Sequence, residues 1–286
     1  MPPEPYRLTL PQTRVSSVVF SSPHSGRDYP AAFLRRSVLD ERTIRTSEDA
    51  FIHDLLAPAP GMGAPLIAAT APRAYIDLNR SAEELDPALI EGVRAVLHNP
   101  RISSGLGVIP RVVSGGRAIY QGKIPMAEAR NRLRDFWHPY HDRLSRLMDE
   151  SHSVFGQAIL IDVHSMPHEA IDSVAGAGVR RPEIVLGDRF GAAADPAIVA
   201  EIERAFQDEG LRVARNAPFA GAYIAQTYGR PSRRHHAVQV EIDRALYMNE
   251  VLIRPNGNYV SFAGLLERVL ARIAAIGRPD LRLAAE

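Results

Sequence analysis

AILIDVHSMP, residues 158–167, is the stretch on which the fold turns. Five of its first six residues are apolar, and then Asp162, His164 and Ser165 arrive together. That is the pattern of a buried strand in an α/β sheet, delivering polar groups at its carboxyl end. In open α/β sheets that end is where ligands bind. VSSVVFSSPHS, residues 15–25, repeats the arrangement, a short apolar strand running into His24. Two histidines, each at the mouth of a strand, begin a metal site.

Further strands are predicted at 64–70, 74–78, 183–186, 211–215 and 237–242, and helices at 31–36, 49–56, 127–150, 195–209 and 264–276. In 127–150, Leu133, Trp137, Tyr140, Leu144 and Leu147 recur near helical spacing. Pro139 removes a backbone donor there and is expected to kink or interrupt the helix. Residues 1–14, with four prolines, read as an irregular arm. Residues 100–122 and 218–234 read as loops placed to close over a substrate. Strands alternating with helices predict a single α/β domain over 1–286, a central mixed, largely parallel sheet flanked by helices.

Composition narrows the chemistry. With 286 residues, 45% of them hydrophobic, the chain can build a sizeable core. A net charge of +1 argues against a basic nucleic-acid surface. The absence of cysteine excludes disulfides, thiolate metal sites and a cysteine nucleophile, leaving His, Asp and Glu as metal ligands. MPPEPYRLTL has no apolar core after a basic start, and no apolar run approaches the roughly 20 residues that span a bilayer. A soluble cytoplasmic protein with no membrane partner is expected.

Asp162 and His164, two apart on a strand, share a face, so the carboxylate can orient the imidazole. Glu48 and Asp49 form an acidic pair at a predicted helix start, where capping is the plain alternative role. Two histidines and one carboxylate with an open position make a catalytic zinc site. Adjacent helical residues point about 100° apart, so one of the pair faces the metal; Asp49 is favoured and Glu48 is the alternate. Glu241, ending the apolar run AVQVEID, can act as general base, or simply pair with Arg244. Gln239, Glu241 and Asp243 share a strand face better suited to a site wall than to a core. Arg73, Asn79 and Arg80, in APRAYIDLNR, suit a small carboxylate-bearing substrate. His138 and His141 suit packing or hydrogen-bonding roles, and His235 and His236 suit a solvated turn. No serine lies in a G-x-S-x-G setting, which disfavours a serine hydrolase.

PHSG, SEDAFIHDLL, APRAYIDLNR, FWHPYH, LIDVHSMP, AYIAQTYGRP and HAVQVEIDRALYMNE, in that order over about residues 15–265, resemble the N-formylglutamate amidohydrolase family. That family resembles the wider zinc carboxypeptidase and aspartoacylase group. The resemblance implies one zinc per chain, held by His24, an acidic residue and His164. It implies Glu241 as general base and Arg73, Asn79 and Arg80 as substrate contacts. The implied reaction is hydrolysis of N-formyl-L-glutamate to formate and L-glutamate, the last step of one histidine-degradation route. Another N-acyl amino acid or a short peptide is the alternative substrate, and a metal-free binding protein on the same fold the non-enzymatic alternative. The wider group has a glutamate three residues after its first histidine, where this chain has Arg27. Asp49 matches the acidic position of the formylglutamate family.

Overall fold

Four strands running the same way carry the centre of the molecule: β2 (Val18–Ser22), β3 (Leu66–Ala69), β4 (Ala158–Met166) and β7 (His235–Asp243). The computed structural model describes residues 4–94, 99–171 and 181–279, so residues 1–3 of the expected arm lie outside it. With β1 (Tyr6–Thr9), β5 (Ile184–Gly187) and β6 (Val213–Arg215) the sheet has seven strands, in the order β1-β3-β2-β4-β7-β5-β6. β1 runs antiparallel to β3 and β5 antiparallel to β7. The expected α/β domain with a mixed, largely parallel sheet is therefore observed.

The apolar run of β4 serves both faces. Ile159, Ile161 and Val163 join the core beneath the helices Pro196–Gln207 and Tyr259–Ile276. Ala158 and Leu160 join the core beneath the helix His138–Phe155, with Tyr140, Leu144 and Leu147. Each such side chain taken out of water contributes about 1.5–3 kcal/mol, enough to fix which face is which. Asp162 and His164 continue the even-numbered face. β4 and β7 pair residue for residue, Asp162 against Gln239 and His164 against Glu241. The polar residues of both strands therefore emerge on one side at one end.

Four expectations need correction. The arm is not irregular throughout, because Tyr6–Thr9 forms a strand with half-buried and exposed residues alternating, paired to Leu66–Ala69. Its prolines, at positions 2, 3, 5 and 11, flank that strand instead of entering it. Residues 74–78 are turns, not a strand. Tyr75 N–H closes onto Pro72 O (2.9 Å), and the Asp77 carboxylate accepts Asn79 N–H (2.8 Å), local bonds that displace ladder bonds. Pro139 does not break its helix. A π-helical turn, Leu133–Trp137, joins Met126–Arg132 to His138–Phe155, and Pro139 follows it directly, so its missing donor falls where the α-helical ladder is already widened. His236 is buried, not solvated, and its Nδ1 accepts Asp195 N–H (3.2 Å).

No helix among the described residues is long and apolar enough to cross a membrane.

Candidate active site

Because β2, β3, β4 and β7 are parallel, their carboxyl ends open onto one edge, and the site assembles there. His24 lies in the turn after β2. Gly26 lets that turn lie against residues 70–71; a Cβ there would come within 2.1 Å of Ala71 O. Asp49 N–H donates to His24 O (3.0 Å), tying the next segment to the turn. Asp49 is not helical, since the helix begins only at Ile52. Glu48 is extended (φ −67°, ψ 144°), so the acidic neighbours point opposite ways. Glu48 turns to Tyr29 Oη (2.6 Å) and Arg45 Nε (3.0 Å), while Asp49 turns inward to the histidines. Of the two acids left open by the sequence, Asp49 is the one in the cluster.

His24, Asp49 and His164 are 2%, 0% and 3% exposed. One ligand atom from each lies within 4.8 Å of the others, an arrangement that can hold a metal ion. His24 Nε2 is 2.7 Å from Asp77 Oδ1, and His164 Nε2 is 2.9 Å from Asp162 Oδ2. A carboxylate only accepts, so each ring carries its proton on Nε2, an assignment made from the partners. Asn79 Nδ2, 3.1 Å from His164 Nε2, shares the Asp162 acceptor at 3.4 Å. Both Nδ1 atoms then face Asp49. His164 Nδ1 is 3.0 Å and His24 Nδ1 3.6 Å from Asp49 Oδ2, and His24 Nδ1 is buried with no hydrogen-bond partner. Two ring nitrogens and a carboxylate oxygen facing one another can share one cation. Tetrahedral zinc, with bonds of about 2.0–2.2 Å, holds its ligands about 3.4 Å apart, which fits this set.

Burial opposes charge on His164 and Asp49, but attraction from their partners outweighs it. His164 is held well above the usual imidazole range by Asp162 and Asp49. Asp49 is held well below the carboxylate range by His164 and His24. The carboxylates of Asp49 and Asp162 also favour a divalent ion.

Glu241 lies on β7 beside His164, and burial pushes its carboxyl up to about 7, with the Asp49 charge adding to the rise against His164 and the arginines. Gln239 Nε2 donates to Glu241 Oε1 (2.8 Å). Glu241 does not pair with Arg244. That guanidinium donates instead to Asp49 Oδ1 (3.3 Å), Ser165 Oγ (3.0 Å) and Glu48 O (2.7 Å), leaving Asp49 Oδ2 for the histidines. Asp243 leaves the wall to cap the turn after β7, accepting Ala245 N–H (2.9 Å).

A cavity of about 630 Å³ opens over the cluster, reached by parts of both expected loops: residues 110–116, and 218–222. Arg73, Asn79 and Arg80 all line it, but they are not equivalent. Arg73 Nε donates to Asp77 Oδ2 (3.0 Å). The Asn79 amide is committed to the scaffold, since Oδ1 accepts Ile224 N–H (2.8 Å) and Nδ2 faces Asp162 and Gln239 (3.4 Å each). Arg80 is 8% exposed, donates to the carbonyls of Leu106 (3.1 Å) and Asn79 (3.0 Å), and has no carboxylate partner among the described residues. Of the other histidines, His141 is structural, bonded to Leu78 O (2.9 Å) and Tyr228 Oη (3.0 Å), with burial lowering it to about 4.

The sequence reading placed Asp77 and Arg244 beside the site without giving them these roles. For Asp77 a signal was available, an acid two residues before Asn79 at the end of an apolar run. For Arg244 none was, because its partners lie some 80 and 195 residues away.

The family described as N-formylglutamate amidohydrolase matches residues 16–248. The N-formylglutamate deformylase of Pseudomonas aeruginosa is 31% identical over 247 residues, 85% of this chain and 86% of the relative. That of Pseudomonas putida is 30% identical over 246 residues, 85% of each. The crystal structure of N-formylglutamate amidohydrolase from Ralstonia eutropha JMP134 superposes with a TM-score of 0.89 at 34% identity, covering 96% of this chain and 98% of that one.

Proposed function

We propose that this chain, which belongs to the N-formylglutamate amidohydrolase family, hydrolyses N-formyl-L-glutamate to formate and L-glutamate at the site just described. The observation that carries the reading is the convergence of two imidazole nitrogens and one carboxylate oxygen beside a buried, elevated carboxyl. His24, Asp49 and His164 would hold the ion, zinc by donor type. A divalent ion bound there supplies Lewis acidity toward the formyl carbonyl. Glu241 accepts the proton of the attacking water and returns it to the departing amine nitrogen. A pKa near 7 suits a group that must do both at neutral pH. Arg80 and Arg73 bind substrate carboxylate, and Asn79 holds the walls in place. The test is formate release from N-formyl-L-glutamate by protein of measured zinc content, beside N-formyl-L-aspartate and N-succinyl-L-glutamate. Faster turnover of either analogue would overturn the substrate, and full activity after verified metal removal would overturn the cofactor.

Two smaller effects follow from the same geometry. Arg80→Met removes a buried cation awaiting an anion and keeps most of the volume. A charge-assisted bond is worth about 1.5–3 kcal/mol, so KM rises roughly 10–100-fold with kcat little changed. Steady-state kinetics giving wild-type KM would show that substrate carboxylate binds elsewhere. Asp77→Asn weakens the acceptor that orients His24. Such changes cost about 10–100-fold in metal affinity, which chelator competition reads directly; unchanged affinity would remove Asp77 from the metal site.

A further inference from the structure

The cavity holds one more cation than the family motif accounts for. Arg101 sits on the short helix Pro100–Ser103 and lines the same cavity as Arg73 and Arg80. Its guanidinium makes no hydrogen bond or ion pair with any described residue, although its backbone is firmly placed. Asn99 Oδ1 caps the helix by accepting Arg101 N–H (2.9 Å). Leu106 N–H returns to Arg101 O (2.8 Å), and Leu106 O accepts Arg80 Nε (3.1 Å). Arg111, anchored on Asp86 (2.9 Å), braces the turn through Ser103 O (3.4 Å). The loop therefore presents a free cation from a fixed base.

The three arginines differ in what they face. Arg73 bonds Asp77 and feels Asp49 and Glu241. Arg80 has Asp77, Arg73 and Arg101 as its main charged neighbours. Arg101 is exposed and lines the cavity beside them. A formylated acidic amino acid carries its polar groups in succession: scissile amide, α-carboxylate one bond from the nitrogen-bearing carbon, then a second carboxylate at the end of the side chain. Arg73 has the Asp77 carboxylate, but Arg80 and Arg101 have no carboxylate partner among the described residues, and a dianion reaching both relieves the cost of gathering like charges.

We propose that Arg101 is the specificity residue that reads the side-chain carboxylate of the substrate, with the α-carboxylate held by Arg80 and Arg73. This deepens the proposed function and rests on it. A side chain one methylene shorter ends before it reaches Arg101, and an amide in place of the carboxylate offers it no charge. Glutamate is thereby separated from aspartate and from glutamine.

The test is Arg101→Gln, an exposed substitution that leaves the core alone. With N-formyl-L-glutamate, KM rises about 10–100-fold and kcat stays within about threefold. With N-formyl-L-glutamine both constants stay at wild-type values, and Arg101→Lys recovers part of the glutamate preference. An unchanged KM for N-formyl-L-glutamate, or an equal rise for both substrates, overturns the assignment. Calorimetric titration with L-glutamate and L-glutamine reads the same selectivity without turnover. The wild type binds glutamate more tightly, and Arg101→Gln erases the difference. A wild type that shows this binding preference but releases no formate would retain the Arg101 assignment and refute the hydrolytic reading; a wild type without the preference refutes the Arg101 assignment.

Discussion

Glu241→Gln lowers kcat by about 10²–10⁴-fold, the usual contribution of a positioned general base, and leaves bound metal in place. The substitution preserves size and the contact with Gln239 Nε2, since the amide oxygen accepts as the carboxylate does. It removes only the capacity to take a proton. The pH profile separates this from a structural defect. Burial raises the Glu241 carboxyl to about 7, and the group works as a base only when ionised. Activity therefore falls as pH drops through its pKa. A bound cation pulls that pKa down, so the acidic limb lies between the ordinary carboxylate value of about 4.3 and 7. In Glu241→Gln this limb is absent. Wild-type kcat with one metal ion per chain, or a mutant that keeps the limb, would show that another group is the base.

His164→Ala goes further, because it removes a ligand. Three protein ligands share a binding free energy on the order of 12 kcal/mol for zinc, so losing one costs on the order of 10³-fold in affinity, and turnover falls with occupancy. The variant also strands Asp49 and Asp162, both buried, which lose their imidazole partner together. Removing one member of a buried charged set typically destabilises by about 3–5 kcal/mol, so thermal unfolding must be recorded beside metal content. His24→Ala provides the independent arm, since it leaves His164 between its two acids. Folded protein of either variant that retains one tightly held ion through dialysis would sink the ligand assignment.

The strands that matter most were legible because their signal is local. β4 and β7 read as apolar runs ending in polar residues, and register then carries His164 beside Glu241 without further information. His24 was legible for the same reason. Asp49 was harder, because its neighbour is equally acidic and backbone direction decides between them. The sequence places the pair at a helix start, but the extended conformation at Glu48 turns them to opposite sides. Residues 74–78 misled for a related reason: a short apolar run ending in polar residues is shared by strands and by turns buried under a loop. The Arg244 clamp and the free Arg101 were beyond reach, since each takes its meaning from what does or does not stand opposite it in space.

The wide turn at Leu133–Trp137 reaches past its own helix. It holds one residue more than an α-helical turn, so everything after it is rotated by about 100° relative to an uninterrupted helix. At its end Trp137 Nε1 donates to Arg80 O (2.9 Å), and beyond it His141 Nε2 meets Leu78 O (2.9 Å), fixing the floor on which the arginines stand. Alignment schemes that forbid gaps inside helices will consequently mismatch Trp137 and His141 against any homologue lacking the extra residue, and will mistake a shared floor for a divergent one.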